Sequence, residues 1–244
     1  MFYILNQAET EPFPRLVKGE IHLWTISLDA SKNQIERITT VLSPGEIEKA
    51  SYYKFELLQH NYIVTQAVLK MLLSHYLEIS PPDIKLGAHK KGKPYLLNDG
   101  SLFFNISNSH NLCAYAFSRD AEVGIDIERI RELPDLDLLI EKNLTPRERK
   151  YLQKDPDSKL KRFFQFWTFK ESYLKAIGEG LRLTQENLDF SIDNGTIRLQ
   201  SANSGFDDAV WQFKGFSFED NYTGTLTYTG KETIIKEMSL ALDP

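Results

Sequence analysis

Leu144-Thr-Pro-Arg-Glu148 repeats, a hundred-odd residues on, the pattern of Leu42-Ser-Pro-Gly-Glu46, and this recurrence decides the fold. Each segment is a capping box: a hydroxyl N-cap, proline at the first helical position, and glutamate at the third. A long helix is expected downstream of each, carrying Gln66-Ala-Val-Leu-Lys70 in the first copy and Glu171-Ser-Tyr-Leu-Lys175 in the second. Each copy also has an early strand, Glu20 to Asp29 and Leu112 to Asp120. Matched elements in the same order predict an α+β fold made by pseudo-two-fold duplication of one α+β module. The first lobe would span residues 1–111 and the second 112–244, with the active site in the cleft between them, where ligands prefer to bind. In this register Gln66 stands where Glu171 stands, so the site is expected to be single and asymmetric.

The second copy carries the acids. In a strand, residues two apart share a face, so Asp126 and Glu128 of Gly124-Ile-Asp-Ile-Glu128 point one way while Val123, Ile125 and Ile127 face the core. The stretch Ser158 to Ile177 reads as a helix opened by the turn Asp155-Pro-Asp-Ser158 and closed by Gly178. Phe163, Phe166, Trp167, Leu174 and Ile177 form its apolar stripe. Glu171 and Lys175, four apart, lie together at the stripe's edge and face the strand. Taken singly, an Asp-x-Glu pair is a common solvated strand face, and Glu171 with Lys175 is a surface ion pair worth a few tenths of a kcal/mol. Together, three carboxylates and a lysine from two elements can hold a hard divalent cation against a pyrophosphate. Lys170 falls inside the apolar stripe, so it either snorkels outward or reaches the carboxylates.

The first lobe offers binding groups. Lys90-Lys91-Gly92-Lys93-Pro94-Tyr95 gathers three lysines around a glycine before a predicted strand, which suits phosphate as well as a plain hairpin turn. Phe104-Asn105-Ile106-Ser107-Asn108-Ser109-His110 turns from apolar to densely hydrogen-bonding; Ser107, Asn108 and His110 offer donors to a ligand or form a polar turn.

Composition bounds the rest. With 244 residues, 41% hydrophobic and 26% charged, the chain can bury one large or two small cores. No apolar run approaches the roughly 18 residues of a membrane span. Met1 to Gly19 lacks the charged-then-apolar order of a signal peptide. Cys113 is the only cysteine, so no internal disulfide forms, and the five histidines show no metal-ligand spacing. A cytoplasmic location and no membrane contact are expected. The net charge of −5 argues against nucleic-acid binding. From Lys142 to Lys175, however, ten Lys/Arg stand against four Asp/Glu, which reads as a solvated helix surface or a docking face for an acidic partner.

With these residues in place, the chain resembles a 4′-phosphopantetheinyl transferase of the Sfp type. The likeness runs through the strand near Trp24, Leu42-Ser43, Gly92-Lys93-Pro94, Phe104-Asn105-Ile106-Ser107, Gly124-Ile-Asp-Ile-Glu128, and Trp167-Thr-Phe-Lys-Glu171 with Lys175. Each motif is weak alone; their order and intervals make the set specific. The resemblance implies two copies of one α+β fold sharing a cleft, and transfer of phosphopantetheine from coenzyme A to a serine of an acyl or peptidyl carrier protein, releasing adenosine 3′,5′-bisphosphate. It implies that Asp126, Glu128 and Glu171 ligate Mg²⁺ (or Mn²⁺) together with the coenzyme A pyrophosphate. Glu171 or a metal-bound water would take the serine proton, and Lys175 would stabilise the transferring phosphate. Lys93, Pro94 and Ser107 would contact coenzyme A, with Lys49 adding a first-lobe charge and Asn108 and His110 beside them. A duplicated chain can close its interface internally, so a monomer with a pseudo-dimeric fold is expected.

The chain departs from the family pattern at four places. Asn108 stands where histidine usually follows the serine, and His110 appears two positions later. Asn61 replaces a common arginine, Glu46 a lysine of some members, and Lys142-Asn143-Leu144 a usual Arg-Phe-Phe in a carrier-docking loop. The first three thin the positive charge expected around the coenzyme A 3′-phosphate, which predicts weaker or altered coenzyme A selectivity. A non-catalytic or altered-specificity carrier-binding paralogue is the alternative. A metal-dependent nuclease ranks below it, because such sites place Glu and Lys two apart on a strand.

Overall fold

Both capping boxes form. Ser43 and Thr145 accept from the backbone N–H of Glu46 and Glu148, whose carboxylates return the bond to the cap N–H. The computed structural model describes residues 5–7, 13–89, 92–97, 100–178, 188–193, 195–202, 211–218, 221–230 and 233–242. The elements run β1 (Leu5–Gln7), β2 (Glu20–Ser27), α1 (Lys32–Thr39), α2 (Pro44–Ser51), α3 (Glu56–Leu77), β3 (Leu86–Ala88), β4 (Pro94–Leu96), β5 (Phe103–Ser109) and β6 (Leu112–Ser118). They continue with β7 (Val123–Arg129), α4 (Leu136–Asn143), α5 (Pro146–Leu152), α6 (Lys159–Ile177), β8 (Leu188–Asp193), β9 (Thr196–Ala202), β10 (Trp211–Phe218), β11 (Tyr222–Thr229) and β12 (Ile234–Leu242). None of the described helices is long and apolar enough to cross a membrane.

Two sheets lie between two long helices. A five-stranded sheet has the order β1-β12-β2-β6-β5, and a three-stranded sheet the order β10-β11-β7. Strand alternation sorts the core. Trp24, Ile26, Cys113, Tyr115 and Phe117 turn toward α3 and meet Val64, Ala67, Val68, Leu69 and Leu72. The intervening residues Ile21, Leu23, Ala114 and Ala116 turn the other way, onto Ile125, Ile127 and Leu226 of the smaller sheet. The far side of that sheet carries α6, whose Phe163, Phe166, Phe169 and Tyr173 pack with Leu188 and Phe190 of the β8–β9 hairpin. Cys113 is buried, as an apolar setting requires. The alternating stretch after Ala121 is β7, and the helix predicted to Gly178 is α6, ending there in the left-handed conformation.

The duplication is visible in topology. The series β2, α1, α2, α3, β3–β4, β5, β6 is followed by β7, α4, α5, α6, β8–β9, β10, β11. The order β2-β6-β5 in one sheet is matched by β7-β11-β10 in the other. Buried ion pairs set the register between the copies. Lys70 Nζ reaches the capping-box Glu46 at 2.8 Å, and Lys170 Nζ reaches the capping-box Glu148 at 2.6 Å. Both long helices then end on a left-handed residue, Glu78 and Gly178. Lys70 therefore answers to Lys170, and the sequence match of Gln66 with Glu171 is five residues out of step. Met71 and His75 stand opposite Glu171 and Lys175. The cause is physical: a shared Leu-Lys dipeptide suggested one register, whereas the common buried partner fixes another. The early strands shift for the same reason. Leu112–Ser118 pairs with β5 and β2 in the first sheet, so β7 answers to β2, and a division between residues 111 and 112 cuts the β5–β6 hairpin.

Candidate active site at the strand seam

Gly124 brings α6 onto β7. A Cβ at Gly124 would stand 2.1 Å from the Ser172 carbonyl oxygen and 2.4 Å from the Ala176 nitrogen, so only glycine allows this approach. Asp126 and Glu128, two and four residues on, share that face. Beside them in register, Thr227, Thr225 and Thr223 of β11 pair with Gly124, Asp126 and Glu128. Thr225 and Thr227 bond the hydroxyls of Thr168 and Ser172 on α6, at 2.9 and 2.7 Å. A polar stripe on the three-stranded sheet thus underlies the helix carrying Glu171 and Lys175.

Lys175 closes on the first acid. Its Nζ donates to Asp126 Oδ1 at 2.7 Å and to Ser107 Oγ at 2.8 Å, and Ser107 donates to the same Oδ1 at 3.0 Å. Asp126 Oδ2 is buried with no hydrogen-bond partner among the described residues. Glu128 accepts from Ser109 Oγ at 2.8 Å. Burial holds the Asp126 carboxyl above the ordinary carboxylate range even with Lys175 beside it. Burial raises Glu128 too, and the Asp126 charge adds to the rise. Glu171 is half-buried on α6, one turn before Lys175. The three acids do not close on a common point: among the described residues no three His, Cys, Asp or Glu gather at ion-binding distance.

The other expected ligand contacts lie apart from this cluster. Lys93 Nζ donates to the Ala176 carbonyl at the end of α6 (2.7 Å) and meets Glu122 at 3.3 Å; burial lowers its ammonium. Pro94 opens β4, and Lys90 and Lys91 lie outside the described residues. Asn108 is exposed, one residue out of phase with Ser107 and so on the opposite face of β5. His110 is exposed in the β5–β6 turn at φ 55°, and its carbonyl accepts from Asn61 Nδ2 at 3.0 Å. Asn61, read as a missing charge, thus holds a turn. Lys49 sits over the Tyr62 ring at 5.5 Å. Lys170 neither snorkels nor joins the acids, because Glu148 and the Asn143 carbonyl hold it inside. In the basic stretch from Lys142, Arg147, Lys159 and Arg162 pair with Asp189, Asp137 and Asp155, which neutralises part of the supposed docking face.

Sequence reasoning missed Asn105 and Ser109. Asn105 Oδ1 accepts from the Ile125 N–H (2.9 Å), and Ser109 Oγ from the Arg129 N–H (3.1 Å). Their signal was present: polar residues at every second position, 105, 107 and 109, mark one strand face. The threonines of Tyr222-Thr-Gly-Thr-Leu-Thr-Tyr-Thr229 carried the same signal.

Comparison with known proteins shows the family of the chain. Residues 122–227 match the 4′-phosphopantetheinyl transferase superfamily, and residues 27–119 match the N-terminal part of 4′-phosphopantetheinyl transferases. The two matches meet between β6 and β7. The 4′-phosphopantetheinyl transferase HetI of Nostoc sp. is 35% identical over 219 residues, covering 88% of this chain and 90% of that one. The 4′-phosphopantetheinyl transferase Sfp of Bacillus subtilis is 25% identical, over 71% of this chain and 77% of its own. The L-aminoadipate-semialdehyde dehydrogenase-phosphopantetheinyl transferase of Homo sapiens is 25% identical, over 74% and 65% respectively.

Proposed function

The chain belongs to the 4′-phosphopantetheinyl transferase superfamily, and on that premise we propose that it moves 4′-phosphopantetheine from coenzyme A to a serine hydroxyl of an acyl or peptidyl carrier protein. The serine oxygen forms a bond to the phosphorus bearing the pantetheine arm. The bond from that phosphorus to the bridging pyrophosphate oxygen breaks, and adenosine 3′,5′-bisphosphate leaves.

One observation carries the reading: Asp126 is buried beside Glu128 with one oxygen on Lys175 and the other lacking a partner among the described residues. Hard oxygen donors and an orphaned buried carboxylate oxygen fit a small divalent cation. Asp126 and Glu128 would hold Mg²⁺, which when bound would offset charge on the pyrophosphate oxygens, whereas Glu171 does not close with them on a common point. Lys175, its side chain 30% exposed, can lend positive charge to the transferring phosphate. Glu171 is the acceptor we assign to the serine proton. Lys49, Asn108 and His110 are exposed and remain our contacts for coenzyme A, while Lys93 and Ser107 are bonded within the protein, to the Ala176 carbonyl and to Asp126.

A protein acceptor has its own support. Ile47, Tyr52, Tyr53, Phe55, Leu57 and Leu58 all expose much of their surface at the corner where α2 passes into α3. Leu57 lies one helical turn before Asn61, which holds the turn after Ser109. Exposed apolar side chains gathered on one short stretch of chain suit a macromolecular partner.

The test is direct. Incubating the protein with an apo carrier, coenzyme A and Mg²⁺ should raise the carrier's mass by one phosphopantetheine. Asp126→Ala should slow the conversion about 10²-fold or more. Apo carriers of the fatty-acid, polyketide and peptide types that all keep their mass would rule the proposal out.

A further inference from the structure

Strands β5 and β7 lie side by side yet belong to different sheets. Between them, side chains take the place of a backbone ladder. Asn105, Ser107 and Ser109 accept from the N–H groups of Ile125, Ile127 and Arg129, at 2.9, 3.3 and 3.1 Å. Both runs step by two, so three consecutive side chains on one face of β5 meet three consecutive inward N–H groups of β7.

The hydroxyls have little freedom. A serine oxygen has one proton to give and two lone pairs to accept with. Backbone N–H groups only donate, so each hydroxyl must accept there and send its own proton elsewhere. Ser109 sends it to Glu128 Oε2 at 2.8 Å, and Ser107 to Asp126 Oδ1 at 3.0 Å. Ser107 accepts a second time, from Lys175, which fills its capacity. Each acid therefore has one oxygen fixed by a hydroxyl whose direction β7's own backbone dictates. Asn105 makes the same backbone contact and touches neither acid.

We infer that Ser109 is a positioning residue for Glu128, as Ser107 is for Asp126, so that the first lobe sets the aim of the second lobe's cation-binding carboxylates. The inference rests on the metal-dependent transferase reading. It also separates the duties of the β5 motif: Ser107 and Ser109 serve the acids, Asn105 ties β5 to the β7 backbone alone, and Asn108 faces away from both acids.

The experiment is calorimetric titration of Mn²⁺ into the full chain with coenzyme A present, alongside thermal unfolding of each protein. Removing an outer partner of a metal ligand typically weakens affinity 10–100-fold. Ser109→Ala should lose about that factor while unfolding as one cooperative unit, and Ser109→Thr, which keeps the hydroxyl, should recover most of it. Asn105→Ala should lower the unfolding temperature without a matching loss of Mn²⁺ affinity. A folded Ser109→Ala protein with wild-type affinity overturns the inference, as does an equal affinity loss in Asn105→Ala. A wild-type chain that takes up no Mn²⁺ overturns the metal reading itself, and the inference with it.

Discussion

His22 is a buried imidazole that the fold keeps neutral. Trp24 Nε1 donates to the Tyr76 hydroxyl at 2.6 Å, and that hydroxyl shares a hydrogen bond of 2.8 Å with His22 Nδ1. Burial pushes the imidazole from its usual 6.5 down to about 4, against the pull of Glu20. The unfolded chain binds the proton more readily, so the contribution of His22 is fully present above pH 6.5 and is lost as pH falls toward 4. A shift of this size corresponds to about 3 kcal/mol. Denaturant unfolding between pH 7 and 4 should show wild type losing up to that much more stability than His22→Gln. Parallel pH curves would remove this account of His22. Gly124 is the other informative residue. An added methyl there meets backbone on α6, which cannot rotate away, so Gly124→Ala must lift the helix off β7. Overpacking of this kind costs about 3 kcal/mol or more, and the Lys175–Asp126 contact should go with it. A Gly124→Ala protein of unchanged unfolding midpoint would contradict the close approach.

Among the elements, the long helices depend on the short ones before them. Glu148 caps α5, accepts from the Phe190 N–H at 2.8 Å and holds Lys170, with both side chains fully buried. Burial raises the glutamate and lowers the lysine, and each opposes that shift by favouring the other's charged form. Removing one partner of such a pair strands a buried charge, so Lys170→Met should cost about 3–5 kcal/mol. The first-lobe pair is more open, with Glu46 19% exposed, so Lys70→Met should cost less. Equal losses in chemical denaturation would count against burial as the cause. These elements also show what sequence can display. The capping boxes were legible because each lies within four consecutive residues and needs no partner from elsewhere. The role of Lys170 was not, because its partner lies on another helix and an apolar stripe says nothing about a carboxylate beneath it. The register of the two copies failed on the same point.

Across the whole molecule, the smaller sheet stands between its own helix and the larger sheet, and the acids lie where β5 and β7 meet. Asp126, Glu128 and Lys175 could be picked from strand and helix periodicity because their spacing within each element already puts them on facing sides. The grouping of Lys93 and Ser107 with protein rather than with open space could not, since both bonds cross from one copy of the module to the other. Lys93 ties the β3–β4 hairpin to the end of α6, and Ser107 ties β5 to Asp126. The duplicated fold therefore makes one site from unequal halves: the first supplies hydroxyls and supports, and the second supplies acids and a lysine.

The central claim is that a divalent cation and the coenzyme A pyrophosphate meet at this seam. A crystal structure of the chain with Mn²⁺ and coenzyme A tests it most directly, because manganese can be located by its anomalous scattering. The account predicts the ion bonded to Asp126 Oδ2 and Glu128, with the pyrophosphate on its other side. An ion bound elsewhere, or coenzyme A lying away from Asp126, would contradict it.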